Sequence, residues 1–514
     1  MTSRLLAAIR LLAVATCLAA LPSGSAEARE SRTSASTGPV EIGSRLELFF
    51  DRHLIDTLDG AALRLHAPVP REIAFHEDAP WEGNYGGYHS LVRDGDRFRY
   101  YYRGTQRLND GINKFAHMVT CCTESDDGIR WQRPTLGLFE FAGSKDNNII
   151  WKNEGTDGFQ GYSSCFMVSA NANPAATSDE RFIAIAHSER EGTTPDGRPI
   201  GKHVIFTSPD GVRFTMKPKP VQEKPQSDGG GDVVFWDTNL GKYVAYLRAY
   251  RNKKTGAIGG YKVEGERGAV RCTSPDLEHW SDPEFVEYGD APAENIYTMM
   301  PDQYFRAPHL YIGLPTRFMP KRKAVAEWWR DGVNDGVFVT SRDGLNWDRT
   351  FLEAFVRPGP DRDNWTSRAF YLTRGVIQTG PTEMSIYWFE HADHGPKDMR
   401  VRRGSLRLDG FVSVNGPYAG GEMVTKPVVF AGNRLMLNYA TSAAGSVRVE
   451  IQDADGRPIP GFTLEDFPEL YGDEIAGVMR WKSGVDVGSL AGRPVRLRFV
   501  LRDADVYAMQ FRAE

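Results

Sequence analysis

The feature that most constrains the fold of this chain is a short turn sequence, Ser-x-Asp-Gly-x-x-aromatic, that recurs along it. In such a turn the Ser and Asp side chains bond to their own backbone, Gly takes a positive φ, and the aromatic residue begins the next strand. The copies are residues 125–131 (SDDGIRW), 208–214 (SPDGVRF), 274–280 (SPDLEHW) and 341–347 (SRDGLNW). Copies at intervals of about 70 residues predict a repeat architecture.

A second repeat runs in phase with the turns. Each turn follows an apolar, aromatic-rich strand: residues 98–103 (FRYYYR), 182–187 (FIAIAH), 243–248 (YVAYLR) and 310–315 (LYIGLP). A fifth strand, 384–389 (MSIYWF), precedes a weaker copy of the turn at 406–411 (LRLDGF). The sequence therefore predicts an all-β chain whose residues 41–414 form a five-bladed β-propeller with insertions in its loops.

The pattern changes after about residue 410. Short strand-like segments then follow one another closely, at 435–439, 447–452, 479–481, 495–501 and 507–511. This spacing predicts a separate β-sandwich over residues 415–514. A propeller must hide its strand edges, so we expect residues 46–51 (LELFFD) to close the ring against the last blade.

The first residues have the pattern of a secretory signal. Arg4 and Arg10 flank the start of an apolar run that ends near Leu21, and residues 26–28 (AEA) form a small-x-small cleavage site. We expect residues 1–28 to be a signal peptide cleaved after Ala28, and residues 29–40 to be a polar linker. The apolar run is too short for a stable membrane span. The predicted location is secreted or periplasmic.

Composition excludes some classes of partner. The chain has 62 basic and 67 acidic residues, a net charge of −5 and no basic run, so nucleic acid is not an expected partner. The sequence contains no CxxC or His-x-x-x-His grouping, and we predict no metal site and no cofactor. The remaining cysteines show no disulfide framework, which favours buried free thiols; they are Cys121, Cys122, Cys165 and Cys272. Oligomeric state is left open.

In a propeller, the innermost strands converge on a central funnel, so residues at the start of each strand reach a ligand. The carboxylates at these starts are Glu82, Asp157, Asp228, Asp232 and Glu294. Carboxylates from separate blades suit glycosidic cleavage, in which one protonates the leaving oxygen and another attacks or activates water. We predict Glu294 as general acid, Glu82 as nucleophile or base, and Asp232 as a third carboxylate that orients the sugar.

Aromatic and basic residues complete the predicted site. Trp81, Tyr85, Tyr297 and Trp365 lie beside the strand starts and are predicted to contact sugar, together with Asp228. Arginines recur near the ends of corresponding strands, at Arg103, Arg248 and Arg317, and Arg374 lies in an inner strand. These arginines either clamp an anionic sugar or pair between blades. Arg317 and Arg374 are the two predicted to bind substrate.

Several segments resemble a known superfamily. Residues 48–51 (LFFD), 100–104 (YYYRG), 305–313 (FRAPHLYIG) and 335–344 (DGVFVTSRDG) are similar to the five-bladed-propeller glycoside hydrolases of families 32, 43 and 68. More narrowly, they resemble bacterial secreted proteins with a family-32-like N-terminal domain. Residues 420–507 of this chain also resemble the sandwich of those proteins. The resemblance implies exo-acting hydrolysis by three carboxylates from different blades.

The function predicted is hydrolysis of glycosidic bonds in a polysaccharide or oligosaccharide. Two alternatives remain open. A sialidase-like hydrolase of anionic sugars would use the arginines. A non-catalytic carbohydrate-binding propeller is favoured by residues 169–174 (SANANP), which offer no carboxylate where related second blades often carry Asp.

Overall fold

The fold of this chain is all-β in the computed structural model, which describes residues 38–108, 115–152, 164–187, 202–222, 229–260, 263–395 and 398–513. Besides strands, these residues contain three short 3₁₀ helices, Ser178–Glu180, Arg362–Trp365 and Gly488–Leu490. The predicted signal peptide lies outside the described residues. The described strands belong to one compact unit, and the predicted boundary between residues 414 and 415 stays a prediction.

The strands up to the middle of the chain are β1 (Val40–Gly43), β2 (Glu47–Leu48), β3 (Ile55–Asp59), β4 (Ala62–Leu65), β5 (Val69–His76), β6 (Ser90–Asp94), β7 (Arg97–Arg107), β8 (Phe115–Ser125), β9 (Ile149–Lys152), β10 (Ser164–Ala170), β11 (Phe182–His187), β12 (His203–Ser208), β13 (Thr215–Pro220), β14 (Val233–Asp237), β15 (Lys242–Arg251), β16 (Ile258–Gly259), β17 (Glu266–Ser274) and β18 (Glu284–Phe285).

The later strands are β19 (Ile296–Thr298), β20 (Pro301–Tyr304), β21 (Ala307–Gly313), β22 (Thr316–Met319), β23 (Val333–Gly336), β24 (Val339–Ser341), β25 (Trp347–Asp348), β26 (Tyr371–Leu372), β27 (Ile377–Gln378), β28 (Glu383–Glu390), β29 (Arg400–Arg407), β30 (Val412–Gly416), β31 (Gly421–Thr425), β32 (Val428–Phe430), β33 (Arg434–Asp453), β34 (Asp473–Val478) and β35 (Val495–Arg512).

Five antiparallel sheets occupy the middle of the chain. Their strand orders are β6-β7-β8-β9, β10-β11-β12-β13, β14-β15-β17-β18, β20-β21-β24-β25 and β26-β28-β29-β5, and we call them sheets 1 to 5. Strands β16 and β27 add to sheets 3 and 5, and β19, β22 and β23 form a small separate sheet. The aromatic strands predicted from the sequence are confirmed: they lie in β7, β11, β15, β21 and β28.

Sheet 5 is completed by a segment other than the one predicted. Strand β5 pairs with β29, with Phe75 opposite Val401. The predicted closing segment, residues 46–51, was wrong in this respect: β2 pairs with β35, where Glu47 lies opposite Met509. Strands β1 to β4 all belong to the sheet that contains β30 to β35. The β-prone residues of segment 46–51 indicated a strand but could not indicate its partner.

The recurring turns have the predicted geometry. In the first copy, Ser125 Oγ accepts from Gly128 N at 2.9 Å, and Asp127 Oδ1 accepts from Ile129 N at 2.8 Å. The fourth residue has a positive φ in each copy: 71° at Gly128, 76° at Gly211, 66° at Leu277 and 71° at Gly344. The turns therefore satisfy their own backbone groups, as predicted.

Tyrosines join these turns to neighbouring sheets. Tyr101 in β7 donates to Gly211 O at 2.9 Å, and Tyr246 in β15 donates to Gly344 O at 2.6 Å. Tyr387 in β28 donates to Gly128 O. These bonds join sheet 1 to sheet 2, sheet 3 to sheet 4, and sheet 5 to sheet 1.

The first strands of the five sheets meet at one buried side chain, Arg374, which is 3% exposed. Its guanidinium donates to Ser169 Oγ at 2.8 Å and Pro301 O at 3.1 Å, and it lies 5.5 Å from the Phe235 ring centroid. Its backbone N donates to His89 O at 3.0 Å. Arg374 thus touches β10, β14, β20 and the start of β6 from its own position beside β26.

The chain ends contribute to one ten-stranded sheet with its own apolar core. The long strands β33 and β35 pair along most of their lengths and carry most of its contacts. Phe430 stacks on Phe511 with ring centroids 3.7 Å apart. The larger apolar core lies among sheets 1 to 5 and includes Cys121, Cys165 and Cys272, while Cys122 belongs to a smaller cluster between sheets 1 and 2. Cys121, Cys122 and Cys272 are buried free thiols, as predicted, and Cys165 is also buried.

Candidate functional site

At or shortly before the first strand of each of the five sheets, one residue has a positive φ. Tyr88, Cys165, Met300 and Arg368 have φ values of 62°, 58°, 49° and 61°, and Gly231 takes 72° at the corresponding place in sheet 3. A positive φ in a residue other than glycine costs free energy, and such residues concentrate at functional sites. These conformations turn Tyr88 and Arg368 toward a common group of side chains.

That group is the arginine–tyrosine cluster. It consists of Tyr85, Tyr88, Arg103, Arg107, Arg248, Arg267, Tyr297, Arg330, Arg368, Tyr371 and Asp393. At its centre the Tyr297 ring centroid lies 4.3 Å from the Arg267 guanidinium, 5.2 Å from that of Arg248 and 5.5 Å from that of Arg368. Tyr371 packs against Tyr297 with centroids 5.8 Å apart.

The cations change the acidity of Tyr297. Burial favours the neutral phenol and raises its pKa, but Arg368, Arg248 and Arg267 favour the phenolate, and a hydrogen bond from Tyr88 does the same. The result is a pKa lowered to about 7. A phenolate is a far better nucleophile than a phenol, so the cluster holds a group that is activated near neutral pH.

Asp393 supplies the carboxyl group of the cluster. Its backbone has a φ of 93°, and its side chain forms an ion pair with Arg107. Burial raises the pKa of Asp393 to about 6, while Arg107, Arg330 and Arg368 act in the opposite direction. A carboxyl that keeps its proton near pH 6 is suited to general acid catalysis.

A second aromatic–cation layer lies around Tyr85. The Arg107 guanidinium is 3.7 Å and the Arg103 guanidinium 4.7 Å from the Tyr85 ring centroid. Arg107 also lies 5.7 Å from the ring of Trp329, whose side chain is 55% exposed. An exposed indole at the edge of a polar site is a surface on which a sugar ring stacks.

Glycines make room beside the cluster. A small cavity is lined by Gly230, Gly231, Arg248, Tyr297 and Thr298. A Cβ added to Gly230 would lie 1.9 Å from Arg248 Nη1, and one added to Gly231 would lie 2.9 Å from Thr298 Cγ2. The absence of a side chain at Gly230 leaves room for the Arg248 guanidinium, and its absence at Gly231 leaves room for Thr298.

Asp232, a predicted catalytic residue, positions Arg248 from beneath. It is fully buried, and its Oδ1 accepts from Arg248 N at 2.9 Å. Its Oδ2 accepts from Gly230 N at 3.1 Å and contacts His203 Nε2 at 3.0 Å. Burial alone would raise the pKa of Asp232, but His203 and the other donors lower it, so the carboxylate is a fixed, charged support.

Glu82, the predicted nucleophile or base, is enclosed in protein. It is fully buried and accepts from Ala79 N at 2.7 Å, Tyr102 Oη at 2.5 Å and Arg133 Nε at 2.9 Å. Burial raises its pKa to about 7 despite Arg133. With its oxygens engaged by three residues and hidden from solvent, Glu82 has the surroundings of a structural carboxyl.

Glu294, the predicted acid, lies in an ion-pair network. Its oxygens contact Arg317 Nη1 at 2.6 Å and Arg349 Nη2 at 3.0 Å. Arg317, predicted to bind substrate, also holds Asp335 through two bonds of 2.9 and 2.6 Å. Both carboxylate oxygens of Glu294 are thus engaged by arginine side chains of the protein.

The other predicted residues divide between the cluster and its surroundings. Tyr85 and Tyr297 are both brought into the cluster. Trp81 donates to Asn148 Oδ1 at 2.7 Å, and half-exposed Trp365 donates to Gly359 O at 2.8 Å. Arg374 is buried among the first strands rather than facing a ligand. The predictions for Asp228 and Asp157 fall outside the described residues.

Sequence reasoning missed Arg107, Arg330, Arg368, Tyr371 and Asp393. Sequence position could have indicated two of these residues. In an antiparallel sheet, the start of the first strand faces the end of the second. Arg107 ends β7, and Asp393 follows β28 by three residues. Reading the second-strand ends together with the first-strand starts would have brought both residues into the predicted site.

One group of described residues has the composition of a metal site. Asp361, Asp363 and His391 place a potential ligand atom each within 4.8 Å of one another. However, Asp361 Oδ2 already accepts from Arg400 Nη2 at 2.6 Å and contacts His391 Nε2 at 3.0 Å. A guanidinium therefore occupies the place beside Asp361 that a cation would need.

The chain has distant structural similarities. One is a structure described as a glycoside hydrolase, at 12% identity and a TM-score of 0.42, covering 66% of this chain and 92% of that one. Another is an N-acetylgalactosamine deacetylase from F. plautii with blood group B trisaccharide, at 13% identity and a TM-score of 0.43, covering 67% and 96%. A third is a family 43 arabinoxylan arabinofuranohydrolase from Bacillus subtilis with cellotetraose, at 11% identity and a TM-score of 0.38, covering 87% and 99%.

No family model and no curated protein matches the sequence. The structural similarities are too distant to assign an activity. Evidence for a function therefore comes from the arginine–tyrosine cluster. Within the part of the chain that the structure describes, no helix is long and apolar enough to cross a membrane.

Proposed function

We propose that this chain is a glycoside hydrolase whose substrate binds at the arginine–tyrosine cluster. The observation that carries the proposal is a pair of opposite pKa shifts in one cluster: Asp393 is raised to about 6 and Tyr297 is lowered to about 7. Shifts that bring the pKa values of a carboxyl and a phenol close to neutral pH are typical of groups at catalytic sites.

In this proposal the fold is a five-bladed propeller in which sheets 1 to 5 are the blades, and the ten-stranded sheet is the accompanying sandwich. Support comes from the shared contacts at Arg374 and from the tyrosine bonds between neighbouring sheets. The cluster would then lie at one mouth of the funnel. Export of the mature chain from residue 29 is part of the same proposal and rests on the signal pattern.

The proposed reaction proceeds in two steps. The Tyr297 phenolate attacks the anomeric carbon as the glycosidic C–O bond breaks, and Asp393 gives its proton to the departing oxygen. Water then attacks the anomeric carbon of the tyrosyl glycoside, Asp393 takes the proton of that water, and the phenolate leaves. Tyrosine serves as the nucleophile in one class of glycosidases.

A non-catalytic carbohydrate-binding protein is the second candidate. It is favoured by the limited exposure of Tyr297, which is 6% exposed. A binding protein would need the aromatic surfaces and arginines but neither pKa shift.

The test is a hydrolysis screen of residues 29–514 on a panel of aryl glycosides and polysaccharides, with Asp393→Asn and Tyr297→Phe in parallel. We expect release of sugar by the parent chain, and losses of at least 100-fold in both variants with unchanged melting temperature. On substrates with an activated leaving group, Asp393→Asn should retain more activity than Tyr297→Phe. Saturable glycan binding without turnover would replace the hydrolase by the binding protein.

A further inference from the structure

We infer that the sugar bound at the arginine–tyrosine cluster is anionic, and that its carboxylate or sulfate group is held by Arg368, Arg330 and Tyr371. The inference rests on the proposed function for the location of the sugar, and it goes further by naming the class of substrate. Carboxylates and sulfates share the oxygen geometry that guanidinium groups recognise through paired hydrogen bonds.

The first support is the balance of charge around Asp393. Three guanidinium groups act on this carboxyl, those of Arg107, Arg330 and Arg368, and Arg107 forms its ion pair. Burial, Arg368 and Arg107 lower the pKa of Arg330, while Tyr85 and Tyr297 raise it, and the net pKa is lowered. Three guanidinium groups thus lie around the single carboxyl of Asp393, an arrangement that suits an additional anionic ligand.

The second support is unused hydrogen-bonding capacity at the same place. Arg368 Nε and Nη1 are buried atoms without a hydrogen-bond partner in the structure, and so is the Tyr371 hydroxyl oxygen. Tyr371 is 2% exposed. Buried donors without partners are rare in proteins because burying them unpaired is costly. Two such groups side by side indicate a position for an acceptor with several oxygens.

The third support is the strained backbone that presents Arg368. Its φ of 61° lies in the left-handed region, which a long side chain rarely adopts. That conformation directs the guanidinium toward the rings of Phe318, at 4.7 Å, and Tyr297, at 5.5 Å. The surrounding structure maintains this strain where the proposed ligand would be bound, which fits a positioned binding group.

Binding of matched sugars tests the inference directly. Isothermal titration of residues 29–514 would compare three triads: glucose, glucuronate and glucose 6-sulfate; galactose, galacturonate and galactose 6-sulfate; mannose, mannuronate and mannose 6-sulfate. We expect at least one anionic member to bind 10-fold or more tighter than its neutral parent, with affinity that falls as salt increases. The preferred anion identifies carboxylate or sulfate as the natural group.

Variants separate this site from general charge effects. Arg368→Gln and Tyr371→Phe should each remove most of the preference for the anion, while Arg368→Lys should retain part of it. Arg457→Gln makes the same charge change at a side chain that is 73% exposed in the loop after β33 of the ten-stranded sheet, and should bind like the parent. Equal affinity for the members of every triad would overturn the inference, as would a preference unchanged in both Arg368→Gln and Tyr371→Phe.

The hydrolysis screen keeps the two proposals distinct. Cleavage of neutral glycosides with no anionic preference would leave the hydrolase standing and overturn the anionic substrate. Anionic preference that depends on Arg368, without cleavage of any panel member, would retain the anion site and count against the hydrolase.

Discussion

The reactivity proposed for Tyr297 and Asp393 depends on the surroundings of the two side chains rather than on their residue types. An ordinary tyrosine titrates near pH 10, and three guanidinium groups are needed to overcome the burial of Tyr297. An ordinary aspartic acid titrates near pH 4, and burial raises the pKa of Asp393 to about 6. The proposed chemistry depends on both environments at once.

The pH profile of the reaction follows from these two values. The active form needs Tyr297 ionised and Asp393 protonated. Below about pH 6, activity should fall because Tyr297 is increasingly neutral, and above about pH 7 it should fall because Asp393 loses its proton. We predict a bell-shaped dependence of kcat/KM with limbs near these values, each approaching a tenfold change per pH unit. A profile that rises steadily to pH 9 would contradict these roles.

Glu294 provides the contrasting case of a carboxylate that looked catalytic in the sequence. Glu294→Gln would leave buried Arg349 without its anionic partner, since Arg349 is 5% exposed. We predict a loss of roughly 1–3 kcal/mol in the free energy of unfolding, measured by urea titration. Turnover at 25 °C should stay within about twofold of the parent, because a loss of that size leaves the chain folded. Complete loss of turnover in a folded Glu294→Gln chain would return Glu294 to the role of acid.

At the scale of the element, the residue type at the fourth position of each repeated turn depends on the side chain that the neighbouring sheet places beside it. Tyr101, Tyr246 and Tyr387 occupy corresponding places in β7, β15 and β28, and each bonds to a turn glycine of the next sheet. By strand register the corresponding residue of β11 is Ile185, and the turn of the next sheet carries Leu277 in place of glycine. Without a tyrosine hydroxyl to accommodate, this turn can fill the space with a buried side chain.

Substitutions at the fourth position of two of these turns should both destabilise the chain, but for different physical reasons. Leu277→Gly would relieve about 1 kcal/mol of left-handed strain but lose the burial of a leucine that is 1% exposed, a loss of about 2–5 kcal/mol. Burial should win, and the variant should be less stable by roughly 2–3 kcal/mol.

Gly344→Ala is the matched change in the next copy. Its added Cβ would lie 2.6 Å from Tyr246 Oη, so the variant should lose that hydrogen bond and gain strain. We expect a cost of roughly 2 kcal/mol, which should fall to the left-handed strain alone, about 1 kcal/mol, when the same change is made in a Tyr246→Phe background. Denaturant titrations of the single and double variants measure both terms. A stabilising Leu277→Gly would show that strain outweighs burial at this turn.

The sequence predicted elements better than it predicted the site, for a physical reason. Turn residues and strand patterns act locally, so the turn at Ser125 and the strand at β7 could be read without knowing the rest of the fold. The partner of residues 46–51 depends on contacts more than 400 residues away in the chain, with Met509. The role of Glu82 depends on Arg133 and Tyr102, whose proximity no local pattern records.

The same dependence on long-range contacts explains why the sequence indicated only part of the arginine–tyrosine cluster. Tyr85 and Tyr297 were predicted because each lies at a strand start, a local property. Arg368 also lies at a strand start but gave no distinctive signal among many surface arginines. Its importance appears only when Tyr297, Arg330 and Asp393 are placed around it. Residue types at a site can be predicted from position, but their charge balance requires the folded chain.

At the scale of the whole molecule, two roles can be compared for buried Arg374: binding of substrate, or joining of the sheets. If it held substrate, as its sequence position suggested, its replacement would reduce activity and leave stability intact. Its contacts instead join Val168 and Ser169 of β10 to Pro301 of β20, and it forms an ion pair with Asp302 at 3.1 Å. The arginine therefore satisfies polar groups from separate sheets where their first strands meet.

Replacing Arg374 should accordingly destabilise the whole set of sheets. We predict that Arg374→Met costs about 3–5 kcal/mol, because it leaves the Asp302 carboxylate without its partner and two carbonyl groups without a donor. Adding Asp302→Asn should restore part of this loss by removing the unpaired charge, whereas Asp302→Asn alone should cost less than Arg374→Met. Thermal and urea unfolding of the three variants measure these differences. If Arg374→Met unfolds like the parent but loses turnover, the arginine faces substrate after all, and the five first strands must be held together by their apolar side chains alone.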